Sequence, residues 1–379
     1  MNPLVTYPYS AFVISLTLTC IAAGILLLRR TSSGRSRSIL GAVGFPALLI
    51  SLFLFIGAVA NRISWAQFEA RNAPPGRMVD VGGFKMHVLC EGPINGPSVL
   101  WIPGGYGQGL WMHHLHSVMK AERRSCLVDR AGTGWSEPSE APRRVQTIIG
   151  EFSRALNGAG ENGPWVIVGH SLGGALAANF AAIEPNVVRG IVTLDPTPQT
   201  LLPEAVRYWL GTPESSTFNA WAVQFGATTL VPSLNPLNTE GWQKENEALR
   251  PVITTLAKLE ERPSSLVASG PAAYWTLADA HGVIRVPGAL GNLPILSIVQ
   301  PIDVNDPREL DRVRGWLKLE NEFEVRNWKA ISKVAQQEYP GFSTLGVLKQ
   351  APVGTTHNFP IEAPDFVLAE VRQFIKNLP

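Results

Sequence analysis

The stretch that most narrows the possible folds is Gly169-His170-Ser171-Leu172-Gly173, which follows the apolar, strand-like run Trp165 to Val168. A chain that leaves a strand and enters a helix within one residue holds that residue in a strained backbone conformation. Only very small residues two positions to either side avoid a clash there. The pattern therefore predicts a sharp strand-to-helix turn at Ser171, with the hydroxyl lifted clear of a sheet. The free N–H groups and positive dipole end of the following helix lie beside it.

The rest of the chain supplies a sheet for that turn. After residue 77, short apolar β-rich runs alternate with longer segments, the pattern of an α/β sheet with crossover helices. Strands are expected at 77–81, 84–90, 98–102, 124–128, 165–169, 190–194, 294–300 and 344–348, with Gly82-Gly83 making a hairpin of the first two. About 100 residues separate Leu194 from Pro294, too many for a structureless loop, so a lid is expected over 197–291. Helical stretches such as 240–261 and the scatter of Trp209, Trp221, Trp242 and Trp275 suit a small helical cap, with the tryptophans as its core.

The first 60 residues have a different character. Residues 11–28 and 39–60 carry no charge, and each run has the length a bilayer requires, so two transmembrane helices are expected. A cleaved signal peptide fits less well, because no lysine or arginine precedes Arg29. Between the runs, Arg29, Arg30, Arg35 and Arg37 stand without an acid, which assigns this loop to the cytoplasmic side and the remainder to the extracytoplasmic or lumenal side. Arg62, Arg71 and Arg77 oppose that orientation. The expected organisation is thus a membrane anchor over 1–60, a linker over 61–76 ending in Ala73-Pro74-Pro75-Gly76, a core over 77–196 and 292–379, and the lid between its halves.

Composition excludes some classes. A formal charge of +2, without basic runs outside the arginine loop, gives no nucleic-acid surface. Of the three cysteines, Cys90 and Cys126 sit in strand-like segments and are read as buried free thiols rather than a disulfide. His113, His114 and His116 cluster without a carboxylate or cysteine partner at ligand spacing, so neither a metal nor a cofactor is expected.

A serine hydroxyl becomes a useful nucleophile only with a base in reach and a group that orients the base. His357 is the candidate base, since it follows the last strand and precedes a closing helix, Pro364 to Lys376, in nucleophile-first, histidine-last order. His170 is expected to point away from the elbow, His87 to lie in a strand and His281 in the lid. Two acids follow strands, Asp195 and Asp303. Asp195 also reads as a turn residue before Pro196, and Asp303 as a solvated residue near Asn305 and Asp306. For a developing oxyanion, the backbone N–H groups of Leu172 and of Gly105, in Pro103-Gly104-Gly105-Tyr106-Gly107, are the candidate donors.

With Gly169-His170-Ser171-Leu172-Gly173-Gly174, the segment Asp129-Arg130-Ala131-Gly132-Thr133-Gly134-Trp135-Ser136 resembles the α/β-hydrolase fold family, in particular its proline-iminopeptidase-like and esterase-like members. Val79-Asp80-Val81-Gly82-Gly83, Leu194-Asp195-Pro196 and His357 fall in the family's order. The resemblance covers about 77–196 and 292–376 and leaves the lid out. It implies an eight-stranded, mostly parallel sheet with a helical lid, Ser171 as nucleophile, His357 as base, and Gly105 with Leu172 as oxyanion hole. Many relatives open the oxyanion loop with His-Gly, where this chain has Pro103-Gly104. The family's acid follows either the sixth or the seventh strand, and relatives with the Asp-Arg-Ala-Gly segment often lack the later one, so Asp195 is preferred to Asp303.

The function expected is that of a membrane-anchored, cofactor-free serine hydrolase acting on a small or lipid-like carboxylic ester through an acyl-enzyme. An aminopeptidase or amidase of the same fold is the alternative, its free amine held by lid carboxylates such as Glu240, Glu245, Glu247, Glu260 or Glu261. A catalytically silent binding protein displayed on a membrane is a third.

Overall fold

All eight expected strands form within two residues of their predicted bounds: β1 Arg77–Asp80, β2 Lys85–Glu91, β3 Ser98–Ile102, β4 Ser125–Val128, β5 Trp165–His170, β6 Val188–Leu194, β7 Ile295–Val299 and β8 Gly346–Gln350. The structure is a computed structural model that describes residues 10–105, 107–141, 143–198, 213–235, 246–269, 284, 286–301, 311 and 337–379. One sheet contains every strand, in the order β1-β2-β4-β3-β5-β6-β7-β8. β2 runs antiparallel to both neighbours, and the pairings from β4 across to β8 are parallel. The β1–β2 turn forms at Gly82-Gly83, where both glycines have positive φ and their N–H groups donate to Asp80 Oδ1 at 2.8 and 3.1 Å.

Helices are numbered α1 Ser10–Thr31, α2 Gly34–Arg71, α3 His113–Met119, α4 Val145–Gly158, α5 Leu172–Ile183, α6 Pro213–Gln224, α7 Ala227–Leu230, α8 Ile253–Glu260, α9 Pro263–Ala268, α10 Phe359–Glu362 and α11 Pro364–Lys376. Alternation along each strand divides the core between the two faces. Leu100, Ile102, Ile167 and Ile191 pack with Ile149 and Phe152 of α4 and Leu176 and Phe180 of α5. Val99, Trp101, Val166, Val168 and Val192 face the other way, against Leu115 of α3 and Val367 and Val371 of α11. Strands β3, β4 and β7 are buried from end to end, which explains why they read as mainly apolar, each with a single serine, rather than as alternating polar and apolar runs. Each such side chain contributes roughly 1.5–3 kcal/mol by leaving water.

One expectation fails here. Cys90 and Cys126 form a disulfide instead of remaining free thiols. They are direct partners in the antiparallel β2–β4 ladder, with Cα atoms 4.1 Å apart. That adjacency exists because β4 inserts between β2 and β3, and the order of strands cannot be read from spacing along the chain. Cys20 is free and exposed on α1.

The N-terminal helices form an antiparallel hairpin. A Cβ at Gly44 would lie 2.7 Å from Leu26 Cδ2, and the Phe12 and Phe55 rings meet at 5.2 Å. Small residues thus let the helices approach closely. Most of the apolar side chains face outward: Leu28, Leu49 and Phe53 are 61%, 68% and 61% exposed. α2 does not stop at residue 60. It continues through 61–71, part of the expected linker, because nothing breaks the helix there and because Trp65 is buried and Phe68 packs against Leu249, Leu256 and Leu110. At 38 residues it extends about 57 Å, much longer than a hydrocarbon core.

Candidate active site

β5 ends at His170 and α5 begins at Leu172, leaving Ser171 alone at the turn with φ 53° and ψ −120°. The flanking glycines are required by contact. A Cβ at Gly169 would lie 2.1 Å from Gly173 O, and one at Gly173 would lie 2.1 Å from Ile102 O. Among the described residues, the two non-glycines with positive φ are Ser171 and Asp195, at 53° and 44°. Each such conformation costs on the order of 1–3 kcal/mol, and the two lie at the carboxyl ends of adjacent strands β5 and β6.

Asp195 is held on three sides. Its N–H donates to Ile298 O at 2.7 Å, while its carboxylate accepts from Gln300 N at 3.0 Å and Gln300 Nε2 at 2.9 Å. The remaining contact is with His357, whose Nδ1 lies 2.5 Å from Asp195 Oδ2. His357 comes from the loop between β8 and α10 and remains partly open to solvent. His170 turns toward it: the two rings lie 4.6 Å apart, and Nε2–H of His170 donates to His357 O at 2.8 Å. Since His170 immediately precedes Ser171, this contact brings His357 beside the elbow. Burial, reinforced by the neighbouring His357 ring, pushes the His170 pKa down to about 3, so His170 is a neutral donor that braces the loop. Asp303 lies outside the described residues, as do His281, Glu240, Glu245, Trp209, Trp242 and Trp275.

The loop after β3 closes the other side of Ser171. A Cβ on Gly104 would lie 3.2 Å from Ser171 Cβ, so this segment packs directly on the serine. Arg130 grips it from behind, donating from one guanidinium nitrogen to Gly104 O at 3.2 Å and from the other to Gly105 O at 2.8 Å. A trans peptide points its N–H opposite its C=O, so holding Gly104 O turns the N–H of Gly105 away from the guanidinium. Leu172 is fully buried at the first helical position, where an N–H has no acceptor within its own helix.

The sequence pattern assigns no task to Arg130 or Thr197, and none to Gln300 beyond its place in Gln300-Pro301-Ile302-Asp303. Thr197 Oγ1 lies 3.4 Å from Ser171 Oγ, its N–H donates to Ser171 O at 3.0 Å, and its carbonyl accepts from Tyr339 Oη at 2.5 Å. Asp129 explains the rest of the Asp-Arg-Ala-Gly segment. Its carboxylate accepts from Gly109 N, Trp135 N and His87 at 2.7, 3.0 and 2.9 Å, tying three segments under the loop.

The remaining polar clusters have other tasks. Buried His116 bridges Ser125 Oγ and Glu91 at 3.0 Å each, and burial lowers its pKa to about 4. Among the described residues, the one grouping of metal-type donors is Cys90, Cys126 and Glu161, whose two sulfurs are bonded to each other. Glu260 and Glu261, two of the carboxylates expected in the lid, are engaged in contacts of their own. Glu261 meets Asn235 Nδ2 at 3.0 Å and Lys258 Nζ at 3.2 Å. Glu260 accepts from Trp111 Nε1 at 3.0 Å, and burial pushes its pKa up to about 7.

Residues 97–246 match the family described as alpha/beta hydrolase fold. The uncharacterized protein YbdG of Bacillus subtilis is 32% identical over 121 residues, covering 32% of this chain and 37% of its own length. Lipase LipV of Mycobacterium tuberculosis is 36% identical over 115 residues, covering 29% and 41%. The chain therefore spans well under two thirds of the length of these relatives. A thermophilic esterase from Thermogutta terrifontis superposes with a TM-score of 0.53 at 18% identity, over 79% of this chain and 97% of that one. The fold is the α/β-hydrolase fold, an eight-stranded mostly parallel sheet preceded by two long apolar helices.

Proposed function

We propose that this protein is a membrane-anchored serine hydrolase that cleaves carboxylic esters through an acyl-enzyme. The observation that carries the proposal is the Asp195–His357 contact of 2.5 Å beside a serine held at positive φ between glycines. With Asp195 accepting from Nδ1–H, the lone pair of His357 Nε2 serves as the base. It takes the proton of Ser171 as Oγ attacks the ester carbonyl, and the oxyanion is met by the N–H groups of Leu172 and Gly105. The same proton passes to the departing alcohol. Water, activated by His357 in turn, attacks the acyl-serine and releases the acid.

An ester is favoured over an amino-terminal peptide substrate by the surroundings of two of the carboxylates that could hold an amine. Glu260 is a carboxyl whose burial favours the neutral form, and Glu261 is already shared by Asn235 and Lys258, so neither is poised to hold a free ammonium group. The likeness to LipV and to the Thermogutta esterase agrees with an ester.

Membrane anchoring is supported by the two helices, with mean hydropathy 2.5 in each apolar window and outward-facing side chains. A hairpin puts Ser10 and the catalytic domain on one side and the arginine loop on the other. The disulfide supports the oxidising, extracytoplasmic side for the domain, as the four arginines do, against the contrary hint of Arg62, Arg71 and Arg77.

Activity profiling of the detergent-solubilised full chain over esters of increasing acyl length and over amino-acid amides tests the reading. Ester turnover at least tenfold above amide turnover, absent in Ser171→Ala, is the expected result. Preference for amino-acid amides would transfer the assignment to an aminopeptidase.

A further inference from the structure

The lid touches both the sheet and the membrane helices, and it does so at a revealing depth. α6 and α7 meet α2 backbone to backbone: a Cβ on Gly226 would lie 2.5 Å from Gly57 O, and one on Gly57 would lie 2.0 Å from Phe225 O. Gly57 belongs to the charge-free run 39–60, not to the polar end of the helix. The same lid corner reaches the other helix, where Gln224 Oε1 accepts from Ala11 N at 3.2 Å, and one turn above Gly57 Thr229 Oγ1 donates to Asn61 Oδ1 at 3.1 Å. A membrane that covers residues 39–60 therefore reaches the level of this corner.

The chemistry of the corner agrees with that depth. From residue 215 to 239 the chain has no charged side chain. Beside the contact, Phe218, Leu230, Val231 and Leu234 are 72%, 43%, 48% and 60% exposed, and they continue the apolar surface of the helices. Neighbouring apolar side chains left in water on a lid are costly unless something apolar covers them.

The lid's other end is tied to the reaction centre. Leu256 O accepts from Gln108 Nε2 at 3.1 Å and Glu260 from Trp111, both just beyond the glycine loop that packs on Ser171. In the same stretch Lys258 Nζ lies 4.9 Å from the Trp65 ring, and Thr255 Oγ1 meets Asn72 Oδ1 at 3.4 Å. One element, the lid, thus links the bilayer side of α2 to the loop beside the serine.

We infer that the lid corner around Phe218, Leu230, Val231 and Leu234 is immersed in the lipid surface, and that the enzyme takes its ester from the lipid phase. The inference rests on the membrane-anchored hydrolase reading and names its substrate class as long-chain, membrane-dissolved esters. Lipid is the occupant because the patch is continuous with the helices at Gly57 and lacks charge.

The test uses the full chain with Cys20→Ser, reconstituted in phosphatidylcholine vesicles containing lipids with a shallow nitroxide. A single free cysteine carrying an environment-sensitive fluorophore is placed at Leu234, at Phe53 within α2, or at Ile94, an exposed residue of the loop at the amino end of β3, opposite the strand ends that carry Ser171. Labels at Leu234 and Phe53 are expected to be quenched and that at Ile94 spared. Quenching at Phe53 without quenching at Leu234 overturns the inference and leaves the anchor standing; no quenching at Phe53 overturns the anchor and the inference together. In the second arm, the pair Leu230→Asp and Leu234→Asp, both exposed, is expected to lower hydrolysis of a long-chain ester dissolved in the vesicles about tenfold while a water-soluble short-chain ester is cleaved as before. Equal rates of both proteins on the vesicle-borne ester would contradict uptake from lipid.

Discussion

Asp195 and His357 are 162 positions apart in the chain and 2.5 Å apart in space, and in the proposed mechanism Asp195 does work that an amide could not do. Its Oδ2 accepts from His357 Nδ1 while Gln300 fills the other positions, so Asp195→Asn should leave the fold in place and lower kcat by about 10³–10⁴-fold, measured by steady-state kinetics. Asp303→Asn should leave kcat within about twofold if Asp195 is the orienting acid. Arg130 acts one step further out, through the two carbonyls it grips. Its loss should misalign the Gly105 N–H and reduce kcat by about 10²-fold with little change in KM. Arg130→Lys should recover only part of that, because a single ammonium does not span two carbonyls as a planar fork does. The sharp turn at Ser171 and the place of His357 after the last strand were legible in the sequence because glycines around a strand-to-helix turn and an apolar strand run are local patterns. The contacts of Thr197 and Gln300 were not, since they exist only once β5, β6 and β7 lie side by side.

At the scale of elements, strands were legible nearly to the residue because burial of both sheet faces demands continuous apolar runs. Their order was not, and the disulfide was missed for that reason. Its bond closes a separation of 36 residues, so breaking it with Cys90→Ser plus Cys126→Ser should cost about 2–4 kcal/mol and lower the Tm. Reduction of the wild type should produce a similar drop in thermal melts, and the double variant should not respond to reductant. The continuation of α2 past residue 60 was hidden for a comparable reason. Trp65 and Phe68 read as linker residues until the apolar cluster around Leu249 and Leu256 is placed beside them. Much of the segment expected to form a lid, including Trp209, Trp242 and Trp275, lies outside the described residues.

At the scale of the whole molecule, an unusually long helix ties an apolar hairpin to a hydrolase-fold sheet, and the segment between β6 and β7 contacts both. The proposed function requires that Ser171 be an activated nucleophile. The most direct measurement is reaction of the solubilised protein with a fluorophosphonate, followed by mass spectrometry of the modified peptide. One adduct is expected, on Ser171, that is absent from Ser171→Ala and forms far more slowly on His357→Ala. An adduct that persists in Ser171→Ala, or a wild-type protein that never reacts, would contradict the proposed function.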